Sequence, residues 1–257
     1  MDVNTEFILK GRGSNISCDF SESIFIPTET HDARLALKSF TTYNSIPNVE
    51  KNVNNQLKIK VPDGDWRIFS LETGAYELSN IYLQLVEWIE LKYPKLNARK
   101  IKSDFKLLGN GATSKAEFIF FQDGYGIDFN VEHSLCNLLG FRKTDKYEGV
   151  ARHIAPNIVN IANVSQLIFN CSVTDSNYIN GKEMPFLYNC GLDVPAGYRL
   201  SRELTDLAYK KLTTSQISHI RVWIVDQNGA PVNLREDELV VTSLQLENRV
   251  SQVSRRS

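Results

Sequence analysis

The sequence predicts a mainly β protein, built as a single jelly-roll β-sandwich with two short helices inserted between strands. Three observations lead there. Apolar and polar residues alternate at period 2 in nine or more short segments, helical spacing occurs in only two, and no linker divides the 257 residues. A chain of this length buries about 70–75% of the surface its unfolded form exposes, so it needs no disulfide or metal to hold a core. The predicted division is an N-terminal arm and first strand region over 1–34, one jelly-roll domain over 35–247, and a polar C-terminal tail over 248–257.

The segment LKIKV (57–61) alternates cleanly, with Leu57, Ile59 and Val61 on one face and Lys58 and Lys60 on the other. AEFIFF (116–121) is short, aromatic and apolar, as a strand buried on both faces would be. In HIRVWIV (219–225), Ile220, Val222 and Ile224 share a face. Asn228-Gly229 then supplies positive-φ residues for a hairpin that returns through Val232 and Leu234. LVVTSLQL (239–246) follows a charged Arg235–Glu238 connection. Further strands are expected at 35–42, 66–71, 103–108, 166–173 and 186–189, and Gly109–Ser114 reads as a hairpin loop. One helix is expected from Ser79 to Lys92, capped by Ser79 or Asn80 and ended by Pro94, with Ile81, Leu85, Trp88 and Ile89 as its apolar stripe. A second is expected over 131–140, with Gly140 in the left-handed position that closes a helix.

Hydrophobic residues make up 42% of the chain and charged residues 23%, which places it among globular domains and excludes global disorder. The net charge is −1, from 29 basic and 30 acidic residues, which argues against a protein that coats nucleic acid. The local clusters, Arg99, Lys100 and Lys102 and then Arg255 and Arg256, read as a solvated basic loop and a tail; no direct nucleic-acid site is readable. No run approaches the roughly 18 apolar residues of a membrane span. The N-terminus lacks the pattern of a secretory signal, so the expectation is an intracellular protein that is not secreted. The sequons at Asn15, Asn163 and Asn170 are then chance matches. Cys18, Cys136, Cys171 and Cys190 include no C-x-x-C pair, which excludes the common zinc and redox motifs. Cys171 shares a strand face with Leu167, Phe169 and Val173 and reads as a small core residue.

The sequence assigns no catalytic, cofactor-binding or metal-ligating residue, and the expectation is no enzyme and no cofactor. It contains no G-x-S-x-G elbow and no H-E-x-x-H. His31, His133, His153 and His219 are isolated from one another. His31-Asp32 reads as a turn. His133 and Cys136 lie three apart on the second expected helix, but the cysteine sits among leucines and reads as packing rather than as an activated thiolate. Asp123-Gly124-Tyr125-Gly126-Ile127-Asp128 departs from a calcium-loop spacing and reads as a β-turn. What recurs is asparagine, aromatics and Gly/Pro turns, which suits polar, shape-matched contact. A structural subunit and a carbohydrate- or receptor-binding module, with Trp66, Trp223 or Tyr125 stacking on sugars, both fit that composition.

Several pieces occur in one order: SFTTYNSIPNVEKNVNNQL (39–57), TGAYELSNI (73–81), SLCNLLGF (134–141), APNIVNIANVSQLIFNCSV (155–173), YINGK (178–182), VPAGYRL (194–200) and 220–246. Together they resemble the penton, or minor capsid, proteins of Polinton/Maverick elements and their virophage-like relatives, over residues 35 to 246. The family turn is more often Pro-Pro-Gly-Tyr; here it is Pro195-Ala196-Gly197-Tyr198, which keeps the turn if Gly197 holds φ > 0. The resemblance implies a jelly-roll subunit of the virion capsid that forms homopentamers at icosahedral vertices. Its second partner would be a double jelly-roll major capsid protein. It transfers no site residue. The N-terminal arm, roughly 1–20, is then expected to clasp neighbours.

Overall fold

The structure, a computed structural model of the chain, describes residues 3–26, 32–161, 163–179, 181–235 and 238–249. The protein is mainly β. Three strands open it: β1 (Val3–Arg12), β2 (Asn15–Phe25) and β3 (Asp32–Tyr43). A middle segment carries β4 (Gln56–Lys60), β5 (Arg67–Ser70), α1 (Leu78–Lys92), α2 (Ala98–Asp104), β6 (Phe105–Asn110), β7 (Lys115–Phe120), β8 (Gly126–Asp128), α3 (Cys136–Leu139), β9 (Lys146–Glu148) and β10 (Ala151–Ile154). The chain then forms β11 (Gln166–Cys171), β12 (Asn177–Ile179), β13 (Lys182–Met184), β14 (Phe186–Gly191), β15 (Arg199–Glu203), β16 (Lys210–Lys211), β17 (Gln216–Val225) and β18 (Leu239–Arg249).

These elements divide into two compact units, residues 1–46 with 164–257, and residues 47–163. The first unit is the jelly roll. One of its sheets runs β1-β18-β3-β15, with β16 also on β3, and the other runs β14-β11-β17-β2. Of these eight main strands the first pairs with the last, β1 with β18, and the second with the seventh, β2 with β17. The third pairs with the sixth, β3 with β15, and the fourth with the fifth, β11 with β14. That nesting is one long antiparallel hairpin rolled up, which is the jelly-roll topology. Rolling it adds the β18–β3 and β11–β17 pairings. The inward residues of each strand alternate into one core: Phe7 and Leu9, Leu35 and Leu37, Leu167, Phe169 and Cys171, and Ile220, Val222 and Ile224 are all buried together. Phe40 of the first sheet meets Phe169 of the second at 4.6 Å between ring centroids.

The second unit lies between β3 and β11 in the chain. It holds two antiparallel sheets, β10-β7-β6 and β5-β4-β8-β9, with the helices. Its core is aromatic: Phe69, Phe105, Phe118, Phe120, Tyr125, Phe129 and Phe141 are buried with Ile81, Leu85, Val86 and Ile89 of α1. Phe129 and Phe141 stack at 4.7 Å. Gly140 closes α3 at φ 78°, and a Cβ there would sit 2.4 Å from the Asn157 carbonyl oxygen, so only glycine fits.

Several expectations change against this structure. The single domain drawn over 35–247 is instead a jelly roll interrupted by a second unit, because strands of the same period serve both cores. The strands at 57–61, 66–71, 103–108 and 116–121 belong to that second unit. The N-terminal arm is no arm: β1 and β2 are full members of the two sheets, burying Phe7, Leu9 and Ile16. The first helix starts one residue early, with Glu77 as cap and the Asn80 side chain accepting from the Glu77 N–H at 3.2 Å. The second helix shrinks to Cys136–Leu139, and the basic loop at Arg99–Lys102 is part of α2. After β17 the chain turns through an Asp226 cap and returns in a short pairing, Val225 opposite Pro231 and the Val232 N–H bonded to the Ile224 carbonyl, with Val232 and Leu234 buried; of Asn228 and Gly229 only the glycine has positive φ. Of the polar tail, residues 250–257 lie outside the described residues, as do His31, Arg255 and Arg256.

Two buried asparagines stand near the chain's first division, one in each unit. Asn44, at the end of β3, donates from Nδ2 to the Val194 carbonyl at 2.8 Å. Its backbone exchanges hydrogen bonds with Tyr198 and Gly197, which keeps the expected φ > 0 at 81°. Asn48 opens the second unit. Its Nδ2 donates to the carbonyls of Tyr76 (2.8 Å) and Ile161 (3.1 Å), and its Oδ1 accepts from the Tyr76 N–H at 2.8 Å. One amide thereby joins the first and last segments of the unit.

Replacing Asn48 with alanine strands those backbone partners in a buried place. The expected loss is roughly 2–4 kcal/mol of unfolding free energy, read from urea titration. A loss below about 1 kcal/mol, the worth of one ordinary hydrogen bond, would show that the unit closes without it.

Candidate functional site

The outer face of the β14-β11-β17-β2 sheet carries the feature of the first unit best suited to binding. Along β11, Leu167, Phe169 and Cys171 face the core, so Gln166, Ile168 and Asn170 face outward. The β11–β14 ladder slips between Phe169 and Asn170, where Leu187 is one residue extra. Such bulges re-aim side chains, often beside functional sites. Next to it is a pocket of about 510 Å³ lined by Gln166, Ile168, Tyr178, Phe186, Asn189 and Lys210, with Asn177 and Gln227. Tyr178, on β12, is 76% exposed, and Lys210 Nζ stands 4.9 Å from the Phe186 ring centre. At the slip itself Asn170 is wholly buried, and neither its Oδ1 nor its Nδ2 has a hydrogen-bond partner. Four amides, two aromatic rings and one lysine can bind a polar ligand. The lining holds no histidine, cysteine, serine, threonine or carboxylate.

The residues weighed for chemistry do not assemble a reaction centre. His133 Nε2 lies 3.9 Å from Glu132, while the buried Cys136 thiol points to Asn137 Oδ1 at 3.6 Å. His219 Nδ1 and Asp19 Oδ1 meet at 2.7 Å across β17 and β2, but Cys18 lies on the opposite, core-facing side of its strand. Burial pushes the thiols of Cys171 and Cys190 up to about 11, so both are protonated at neutral pH. His153 stacks against Tyr147 at 4.7 Å and Phe120 at 5.2 Å, and its Nε2 is buried without a partner. Desolvation lowers its pKa, a hydrogen bond with the Gly149 backbone partly offsetting this. Among the described residues no three His, Cys, Asp or Glu side chains converge on a metal position. The Asp123–Asp128 segment is a turn leading into β8, with Gly124 at φ 92°. Among the described residues no helix is long and apolar enough to cross a membrane.

Of the aromatics proposed to stack on sugars, Tyr125 is out of reach and each tryptophan carries a cation over one face. Tyr125 is buried, donating to Asp104 Oδ2 at 3.3 Å. Lys146 lies over Trp66 at 4.8 Å and Arg221 over Trp223 at 5.2 Å. None of the pocket residues was assigned from the sequence. The alternation of QLIFNC places Gln166, Ile168 and Asn170 on one face, but not beneath a hairpin that comes from residues 177–184.

A solved structure resembles the chain as a whole. The crystal structure of the mavirus penton protein superposes with a TM-score of 0.49 and 9% sequence identity, covering 97% of this chain and 100% of that one. No protein family matches the sequence, and no curated protein does.

Asn170 has a cost that a substitution exposes. Asn170→Leu keeps the branching at Cγ, with bulkier methyl groups, and removes two unpaired polar atoms, so it should raise unfolding free energy by roughly 1–2 kcal/mol; a decrease would show that the amide is satisfied in solution or that the site has no room for the methyl groups. His153 ties stability to pH. Its folded pKa lies below the ordinary 6.5, so the folded state binds fewer protons than the unfolded one. Stability should be full above pH 6.5 and fall as the pH drops through that value toward the lowered pKa. Thermal unfolding followed from pH 7.5 to 5 should show that slope in the native protein and lose it in His153→Phe.

Proposed function

We propose that the protein is a structural subunit of a virus-like icosahedral capsid, placed at the vertices as a homopentamer. In this reading its second partner is a double jelly-roll major capsid protein, its location is the capsid of the virion, and its role is assembly rather than catalysis. The observation that carries the reading is where the resembling sequence pieces lie. SFTTYNSIPN ends β3 and meets VPAGYRL through Asn44, while its Asn48 meets TGAY at Tyr76 and the APNIVNIA segment at Ile161. Pieces far apart in the chain thus form two shared clamps, as they would if they belong to one inherited architecture, and they frame a complete eight-stranded jelly roll. The jelly roll is itself a common capsid building block, though the fold alone does not assign function.

A five-fold ring is a closed, head-to-tail arrangement, so one surface of each copy must complement a different surface of the next. Sedimentation or native mass spectrometry of the purified protein should show five copies of the 29.2 kDa chain, alone or once the major capsid protein is added. A strict monomer in both conditions overturns the reading. A second reading has one specific observation behind it: the amide-lined pocket beside Tyr178 and Phe186 is suited to a carbohydrate. It predicts glycan-array binding by the monomer that Tyr178→Ala abolishes.

A further inference from the structure

The first helices of the second unit gather charge that the whole-chain balance conceals. Between Leu91 and Lys106 the chain carries Lys92, Lys95, Arg99, Lys100, Lys102 and Lys106 against a single acid, Asp104, in a protein whose net charge is −1. The acid is already engaged. Asp104 is buried and receives Lys100 Nζ at 3.0 Å, Ser103 Oγ at 3.1 Å and the Tyr125 hydroxyl at 3.3 Å. Among the described residues no ion pair forms at Lys92, Lys95, Arg99 or Lys102. Two cations lie over aromatic rings: Arg67, from outside the stretch, is 5.0 Å from the Tyr93 ring centre, and Lys106 is 5.7 Å from that of Phe121, which is exposed. Like charges crowded together repel one another, and among the described residues the one ion pair within this group is Lys100–Asp104.

The same stretch opens a pocket of about 510 Å³. Its walls are Pro62, Tyr93, Pro94 and Leu96 with Gln122, and both signs of charge line it as well, Lys92, Lys95 and Lys100 with Asp63 and Asp104. An apolar and aromatic slot with an amide for edge contacts fits a planar heterocycle, and the lysines beside it fit phosphates. Ionic strips with aromatic platforms are how proteins hold single strands without reading sequence. An acidic peptide would satisfy the lysines, but carboxylates entering the slot would meet Asp63 and Asp104. A duplex would keep its bases out of the pocket. We propose that this α1–α2 surface of the second unit binds single-stranded nucleic acid, with phosphates on the lysines and one base in the pocket beside Tyr93. The proposal is independent of the vertex reading, because the strip belongs to the second unit alone.

Fluorescence anisotropy with a labelled oligothymidine of about 20 nucleotides, long enough to span one such site, tests it on the full chain. With five phosphate contacts, affinity should fall about 100-fold between 50 and 200 mM salt, and by less than about tenfold in a Lys92→Gln, Lys95→Gln, Lys102→Gln triple variant. The triple variant should bind more weakly than native at 50 mM salt. A control triple, Lys51→Gln, Lys143→Gln, Lys182→Gln, should keep the native slope. Tyr93→Ala should weaken binding at least about fivefold, the lower end of a lost stacking contact, while Tyr93→Phe retains it. No binding by the native protein at 50 mM salt, or equal loss in both triples, overturns the proposal. Equal affinity for poly-glutamate would assign the strip to an acidic protein instead, and equal affinity for a duplex would remove the base from the pocket.

Discussion

A second unit can stand between two strands of a rolled sheet only if the chain that leaves the roll is brought back to rejoin it. Asn48 imposes that closure. Its amide mimics a strand residue, offering two N–H groups to carbonyls at Tyr76 and Ile161 and one oxygen to the Tyr76 N–H. Asn54 reinforces it, donating to the Asn48 carbonyl at 2.8 Å. Closing a long loop is entropically cheap in its length, since each doubling adds only about 0.6 kcal/mol. The expensive part is satisfying buried backbone where the two ends meet, because no ladder runs there. A side-chain amide, with two donors and an acceptor in one plane, does this where an apolar residue could not.

The division of the chain follows from that closure, and it explains what the sequence did and did not reveal. Alternation in LKIKV, LIFNCS, IRVWIV and LVVTSLQL marked β4, β11, β17 and β18 because one side of each faces a core. Period 2 does not say which core. β4 and β17 carry the same signal although Ile59 packs with Phe69 and Ile127, while Ile220 packs with Leu167 and Leu9. With no Gly/Pro-rich linker at either junction, the two units read as one. The N-terminal strands were harder still. β2 buries Ile16 fully and leaves Cys18 and Phe20 half-covered, so it looks polar until β17 is laid beside it.

Helix α2 failed for a related reason. In its seven residues Ile101 is the apolar side chain that is buried, and its other buried residue is Asp104. A carboxylate in a core contradicts the binary pattern unless its partners are known; Lys100 and Ser103 lie within one turn of Asp104, but Tyr125 reaches it only in the folded chain. The buried Glu117 is similar. It lies mid-strand in an apolar run, paired with Arg152 from β10 and accepting from Asn110 Nδ2 at 2.9 Å, which holds its carboxyl below the usual range. Period and hydropathy report burial of carbon; buried charge is decided by long-range neighbours, which a local window does not contain.

The same argument applies to the asparagines, and it separates two kinds. Asn48 is buried with its Oδ1 and Nδ2 both bonded, and Asn44 with its Nδ2 bonded. Asn170 is buried with neither side-chain atom bonded, at a bulge bordering a pocket. The clamps have a structural reason: they close the second unit and hold the turn at Gly197. Asn170 has none, because the β11–β14 and β11–β17 ladders run through its backbone and the core lies on the other face of its strand. An unpaired buried amide makes the sheet less stable than an apolar residue would. Asn44 Oδ1 and Thr242 Oγ1 are buried and unpaired as well, and neither residue lines that pocket, so an unpaired polar atom alone does not separate a binding face from a packing face.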